Sequence, residues 1–245
     1  MSPTGTPSCP TSLSKSTQTH TIYKVFGNLP CLMKEEINLK ELSNIKENIL
    51  KEIKPKNKIE LKKIKLIAGF DLVFFKEEIL CAGILIDFKT KEMIETQITK
   101  NEIPFNYHSE LIAFREGPSI LNTLNQFSKK PDILMIEGNG LINKKILGLP
   151  TYVGVLSNIP TIGVSKKLIF GKLEVDKILF ENKQVGYAIK TKDYANPIYV
   201  IPGNDISFEN AKIITEMLCL GNKMPMPIHK AHSILIKEKK SFNSL

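Results

Sequence analysis

The chain has 245 residues, 42% hydrophobic and 24% charged, enough to bury a sizeable core as one domain with short appendages. Lys+Arg 34 against Asp+Glu 25 leaves a net charge of +9 and a sequence pI near 9.2, which suits a polyanionic partner such as nucleic acid. No run approaches the ~18 apolar residues of a membrane span, the first residues lack the apolar core of a secretory signal, and Cys9, Cys31, Cys81 and Cys219 have neither CxxC spacing nor accompanying histidines. A membrane role, a zinc site and a disulfide framework are therefore not expected, and an intracellular protein is.

In chain order, Met1 to about Thr21 is rich in Ser, Thr and Pro with Lys15 as its only charge, and is expected to be a disordered tail. From Asn38 to about Ile53, Leu39, Leu42, Ile45 and Ile49 recur at helical spacing among Glu and Lys and predict an amphipathic helix. Three strand-like segments follow, about Ile64 to Phe75, Glu78 to Asp87 and Met93 to Thr99. Their short connections predict an antiparallel meander. Within the first, Leu66 to Phe75 is apolar on both faces except for Asp71, a charge that solvation alone does not explain in a central strand.

Proline suits the first turn of a helix, so a helix is expected from near Pro118 through Ile120, Leu121, Leu124 and Phe127, with Glu116 at its entrance. There Glu116 has a bland reading, interaction with the helix dipole beside Arg115, as well as a functional one. The run Pro131-Asp132-Ile133-Leu134-Met135-Ile136-Glu137-Gly138-Asn139-Gly140 reads as a short strand buried on both faces, ending on a carboxylate and two glycines. A carboxylate at a buried strand tip calls for a cation, a metal or a ring of donors. Glu137 either meets that need or merely caps a helix or accepts loop amides. A helix around Thr151 to Asn158 and a strand from Thr161 to Val164, ending at Ser165-Lys166-Lys167, come next. Strand-like runs over Gln184 to Lys190 and Pro197 to Ile201 then precede a helix from Ser207 to about Cys219.

A meander followed by alternating strands and helices implies an α/β fold, a mixed sheet with helices on both faces. Pairing the first strand with the later parallel strand would set Asp71 beside Glu137, with Glu116 approaching from above. Three converging carboxylates suit Mg²⁺, which keeps waters and accepts phosphate oxygens. The matching chemistry is metal-assisted hydrolysis of a phosphodiester.

The ordered set Phe114-Arg115-Glu116 with Pro118, Pro131 to Gly140, Leu147 to Leu168 (LGLPTYVGVLSNIPTIGVSKKL) and Asn196 to Ser207 (NPIYVIPGNDIS) resembles the endonuclease V family over about Ile67 to Pro227. The resemblance implies a ribonuclease H-like fold and Mg²⁺- or Mn²⁺-dependent cleavage of inosine-containing nucleic acid at the second phosphodiester 3′ to inosine. It places Asp71, Glu116 and Glu137 as metal ligands, Glu137 standing where the family has aspartate, and Lys166 as the cation at the scissile phosphate. Tyr107 falls on the wedge that pushes between bases. Gly138 and Gly140 keep the Gly-x-Gly whose backbone approaches the flipped base, and Asn143 stands for a family histidine in the same binding region. Glu110 replaces a wedge glycine. Asn204 and Asp205 replace a histidine and an arginine, so weaker assistance near the phosphate or metal is expected. His229 and His232 lie in a basic C-terminal segment and receive no chemistry.

Tyr107-x-Ser109 and Gly-Asn-Gly look closer to eukaryotic members, which implies single-stranded RNA as the favoured substrate with DNA as a second. The expected organisation is a tail over 1–35, the nuclease domain over 36–236 and a basic tail over 237–245, in a monomer of cytoplasm or nucleus, the nucleolus included. The rival reading is a catalytically weakened or inactive member that still binds nucleic acid, and a third is a purely structural domain of the same fold.

Overall fold

Ten consecutive residues, Leu66–Phe75, form an interior strand (β1) that is paired along both of its edges. The computed structural model describes residues 39–54, 57, 59–140 and 147–243. The tail expected over 1–35, and Asn143, lie outside the described residues. The meander is as expected. β1 pairs antiparallel with β2 (Glu78–Asp87) and β2 with β3 (Met93–Glu102), which runs three residues beyond its expected end at Thr99.

β4 (Ile133–Glu137) pairs parallel with β1, and β5 (Thr161–Ser165) parallel with β4. The start of this pairing is held by Asp132, whose Oδ2 accepts from the backbone N–H groups of Lys65 and Leu66 at 2.8 and 2.9 Å. β6 (Lys172–Glu174), β7 (Lys177–Phe180), β8 (Lys183–Ile189) and β9 (Ile198–Asn204) extend the sheet, which among the described residues has the order β3-β2-β1-β4-β5-β9-β8-β7-β6. β6 and β7, too short and too rich in lysine to show an apolar alternation, were not expected from the sequence.

Helices cover both faces, as a mixed α/β sheet requires. On one face α1 (Leu39–Lys51), α2 (Ile112–Leu124) and α3 (Leu149–Ser157) bring Leu42, Ile49, Phe114, Ile120, Tyr152 and Val153 against Ala68, Phe70, Leu134 and Ile136. On the other, α4 (Phe208–Cys219) and α5 (Met226–Asn243) bring Ala211, Ile214, Ile228, Ala231 and Leu235 against Ile67, Ile133, Met135 and Val164. Ser207 caps α4 by accepting from Asn210 N, as its position implies.

Two expectations are corrected. α2 begins at Ile112, six residues before Pro118, so the proline lies inside the helix and Glu116 on a middle turn, away from the helix entrance. A proline is one route to a first turn, but here the buried Ala113, Phe114 and Arg115 already need helical geometry. Residues 237–243, expected as a basic tail, continue α5. Its Ile228, Ala231 and Leu235 pack on the sheet, and Lys239 Nζ donates to Phe74 O at 3.0 Å.

Candidate active site

Side chains alternate along β1. Ile67, Gly69 and Asp71 face α5, while Ala68 and Phe70 face α2. The same alternation along β4 puts Ile133, Met135 and Glu137 on the α5 face. The register pairs Phe70 with Ile136, so one further step sets Asp71 beside Glu137. α5 reaches this point because β1 carries no side chain at Gly69, where a Cβ would lie 2.5 Å from Pro227 Cβ. From that contact the helix runs on to place His232 Nδ1 2.7 Å from Asp71 Oδ2.

One oxygen donor or ring nitrogen each from Asp71, Glu137 and His232 lie within 4.8 Å of one another. Asp71 is buried, with Oδ1 accepting from Leu72 N at 2.8 Å and Oδ2 facing His232. Glu137 is half-buried, and Lys166 Nζ, just past the end of β5, lies 3.0 Å from its Oε1. Burial and then the Asp71 charge push the Glu137 carboxyl above its ordinary range, against the opposing pull of Lys166.

Glu116 is outside the three-residue group but close enough to feel Asp71. Burial lifts its carboxyl to about 7, with the Arg115 charge opposing and the Asp71 charge adding. Arg115 is itself buried. Its Nε donates to Phe105 O at 3.1 Å and its guanidinium lies over the Phe74 ring at 4.2 Å and over Tyr107 at 5.9 Å.

Asp71 and Glu137 thus lie on neighbouring strands beside Lys166, and burial is the first cause that raises both Glu137 and Glu116. The endonuclease V family model matches residues 47–233.

The chain belongs to the endonuclease V family.

It is 31% identical over 207 residues to the endonuclease V of Dictyoglomus thermophilum, covering 81% of this chain and 87% of that one. It is 29% identical over 210 residues to that of Archaeoglobus fulgidus, covering 84% and 95%. Among solved structures it superposes on Bacillus subtilis endonuclease V with a TM-score of 0.77 at 24% identity, covering 86% and 95% of the two chains. It superposes on Ciona intestinalis endonuclease V, in complex with a 23mer DNA containing an inosine followed by a ribo-adenosine, with a TM-score of 0.74 at 25% identity, covering 84% and 100%. The fold of this endonuclease V chain is ribonuclease H-like.

Of the other residues singled out in the sequence, Tyr107, Gly138 and Gly140 are among the described residues. Tyr107 precedes a 3-10 turn at Ser109–Leu111 that leads into α2, and the residue is 67% exposed. Gly138 has φ +145°, a conformation that favours glycine, and its N–H donates to Val164 O at 3.0 Å. A Cβ at Gly140 would collide with Ile201 O and lie 2.5 Å from Pro202 O. Between them, Asn139 Oδ1 is 3.1 Å from the Ser165 hydroxyl, which ties this loop to the segment carrying Lys166.

Asn204, by contrast, stands at the far end of β5, opposite Thr161 and about 13 Å along the strand from Ser165. Its amide donates to Gly154 O at 3.2 Å and its Oδ1 accepts from Lys54 N at 2.9 Å, while Asp205 accepts from Asn57. Both side chains are thus hydrogen-bonded to the scaffold at that end of the sheet.

His232 is the residue that sequence reasoning passed over. The donor set it completes fits a divalent cation: two carboxylates offer oxygen ligands, each Asp71 oxygen retains a lone pair, and the charge of a cation would offset the repulsion that raises Glu137. Among the described residues, no helix is long and apolar enough to cross a membrane.

Proposed function

We propose that this family member is a metal-dependent endonuclease of single-stranded, inosine-containing nucleic acid, RNA in preference to DNA, cutting at the second phosphodiester 3′ to inosine. The observation that carries the reading is the convergence of Asp71, Glu137 and His232 within 4.8 Å, with Lys166 3.0 Å from Glu137. Asp71 and Glu137 would hold Mg²⁺ or Mn²⁺, with Glu116 contributing from α2. The ion supplies Lewis-acid activation of water and charge stabilisation at the leaving oxygen. His232 fixes the orientation of the Asp71 carboxylate. Lys166 presents its ammonium to the scissile phosphate, and Tyr107 enters the space vacated by the flipped base, whose edge approaches the Gly138–Gly140 backbone. Support for the inosine substrate comes from the Ciona relative, which is seen with DNA containing an inosine followed by a ribo-adenosine.

A second reading, a weakened member that binds without cutting efficiently, is favoured by the Glu137–Lys166 pair. The extra methylene of glutamate carries the carboxylate to within 3.0 Å of the ammonium, where it competes with a cation for the same oxygens. The test is cleavage of matched single-stranded RNA and DNA oligonucleotides, with and without one inosine, in Mg²⁺ and then Mn²⁺. Cutting one nucleotide beyond inosine, lost in Asp71→Ala, sustains the first reading, and the better substrate decides between RNA and DNA. No cutting by the wild type, with activity in Glu137→Asp, sustains the second.

A further inference from the structure

The β8–β9 connection, residues 190–197, rises from the same end of the sheet as the carboxylates. Tyr199 pairs with Ser165 on one side and with Ala188 on the other, so the chain leaving Ile189 and returning at Ile198 stands level with Lys166. It lies three to four strands from Asp71, roughly 14–19 Å along the sheet edge. The connection is tied down where Thr191 Oγ1 donates to Lys223 O at 2.9 Å, in the link between α4 and α5. Together the two segments border a concavity of about 500 Å³ lined by Lys192, Asp193, Tyr194, Ala195 and Gly221.

Tyr194 is 105% exposed, with its full surface in water. Lys192 lines the same concavity, Lys190 is exposed at the start of the connection, and neither they nor Lys223 has a carboxylate partner among the described residues. An unburied aromatic among uncommitted lysines is the composition that stacks an unpaired base while its phosphates are neutralised. A duplex, whose bases are already stacked, would have no use for the ring.

Resting on the nuclease reading above, we propose that Tyr194, with Lys190, Lys192 and Lys223, forms a second binding site on this chain, a stacking and phosphate-contacting platform for the single-stranded nucleic acid that flanks the carboxylate centre. Asp193 faces the same concavity and is suited to accept hydrogen bonds from base or sugar donors. The platform lengthens the footprint along the strand order from β1 to β8.

The test is fluorescence anisotropy of the full chain in EDTA, so that nothing is cut. It uses inosine-centred single strands of about five nucleotides and of about sixteen, the latter extended on either the 5′ or the 3′ side. Tyr194→Ala is expected to weaken the long strand about tenfold, the loss of one base–aromatic stack, and to leave the short strand unchanged, while Tyr194→Phe binds as wild type. Lys192→Gln is expected to lower the slope of log affinity against log salt by about 0.7. Wild type and Tyr194→Ala binding the long strand equally would overturn the platform even if inosine-directed cleavage is intact. Tyr194-dependent binding that is the same with and without inosine would sustain the platform while the inosine reading fails.

Discussion

His232 Nδ1 lies 2.7 Å from Asp71 Oδ2, which joins α5 to β1 at the only charged residue of that strand. The contact spans 161 residues of chain and closes the site from the face opposite α2. Removing the imidazole leaves a buried carboxylate short of a partner, at a cost of about 1–3 kcal/mol. His232→Ala is expected to lower the unfolding free energy by that amount and, since a partner that orients a ligand is worth about 10–100-fold, to weaken Mn²⁺ binding correspondingly. Urea denaturation and calorimetric Mn²⁺ titration check both, and wild-type values in the two would remove His232 from the site.

Glu116 gives the metal-free protein a pH dependence of definite sign. Burial lifts its carboxyl from 4.5 to about 7 in the folded chain. Between those values the folded state holds more protons than the unfolded one, so the stability is fully present below about 4.5 and is lost as pH rises through about 7. In EDTA the wild type is expected to be less stable at pH 8 than at pH 5 by up to about 3 kcal/mol through this group. Glu116→Gln, which cannot ionise, should gain stability over the wild type at pH 8 and not at pH 5. Denaturant midpoints at the two pH values measure the difference, and a gap of equal size at both would contradict the assignment.

Which parts of this site were legible in the sequence follows from what periodicity can register. Leu66 to Phe75 and Ile133 to Glu137 are apolar on both faces, and only a central strand explains that, so Asp71 and Glu137 stood out as the charges that did not belong. The meander followed from connections too short for anything else. Glu116 was singled out, but Pro118 drew the helix start six residues late and put the glutamate at an end it does not occupy. His232 was passed over because Lys230, Lys237, Lys239 and Lys240 made the last segment look like a solvated tail. Ile228, Ala231 and Leu235 recur there at helical spacing behind Pro227, and His232 stands four residues from Ile228 on that turn. Its pairing with Asp71 is tertiary, and no local pattern encodes it.

Lys166 separates stability from chemistry. Its pair with Glu137 is 40% and 26% exposed, so Lys166→Ala should change the unfolding free energy by less than about 1 kcal/mol. A cation aimed at developing phosphate charge is worth about 10²–10³-fold in rate, and kcat should fall by that factor. Lys166 also opposes the rise of the Glu137 carboxyl. Its removal should move the acid limb of the pH–rate profile to higher pH, whereas a limb that stays put would uncouple the lysine from Glu137.

Gly69→Ala tests whether the site depends on how closely α5 lies against the sheet. A Cβ there would sit 2.5 Å from Pro227 Cβ, 2.7 Å from Pro227 C and 2.8 Å from Ile228 N, atoms of a helix start that cannot swing aside as a side-chain tip would. Overpacking of this kind costs about 1–3 kcal/mol, relieved by lifting the N-terminal turn of α5 away from β1. The lift would carry His232 away from Asp71, so Gly69→Ala should lower stability and weaken Mn²⁺ binding although residue 69 offers no ligand. His232→Ala in the same background should then cost less than it does alone, because the contact it removes is already broken. Full additivity of the two substitutions in a double-mutant cycle would mean that α5 keeps its place and the strain is taken up elsewhere.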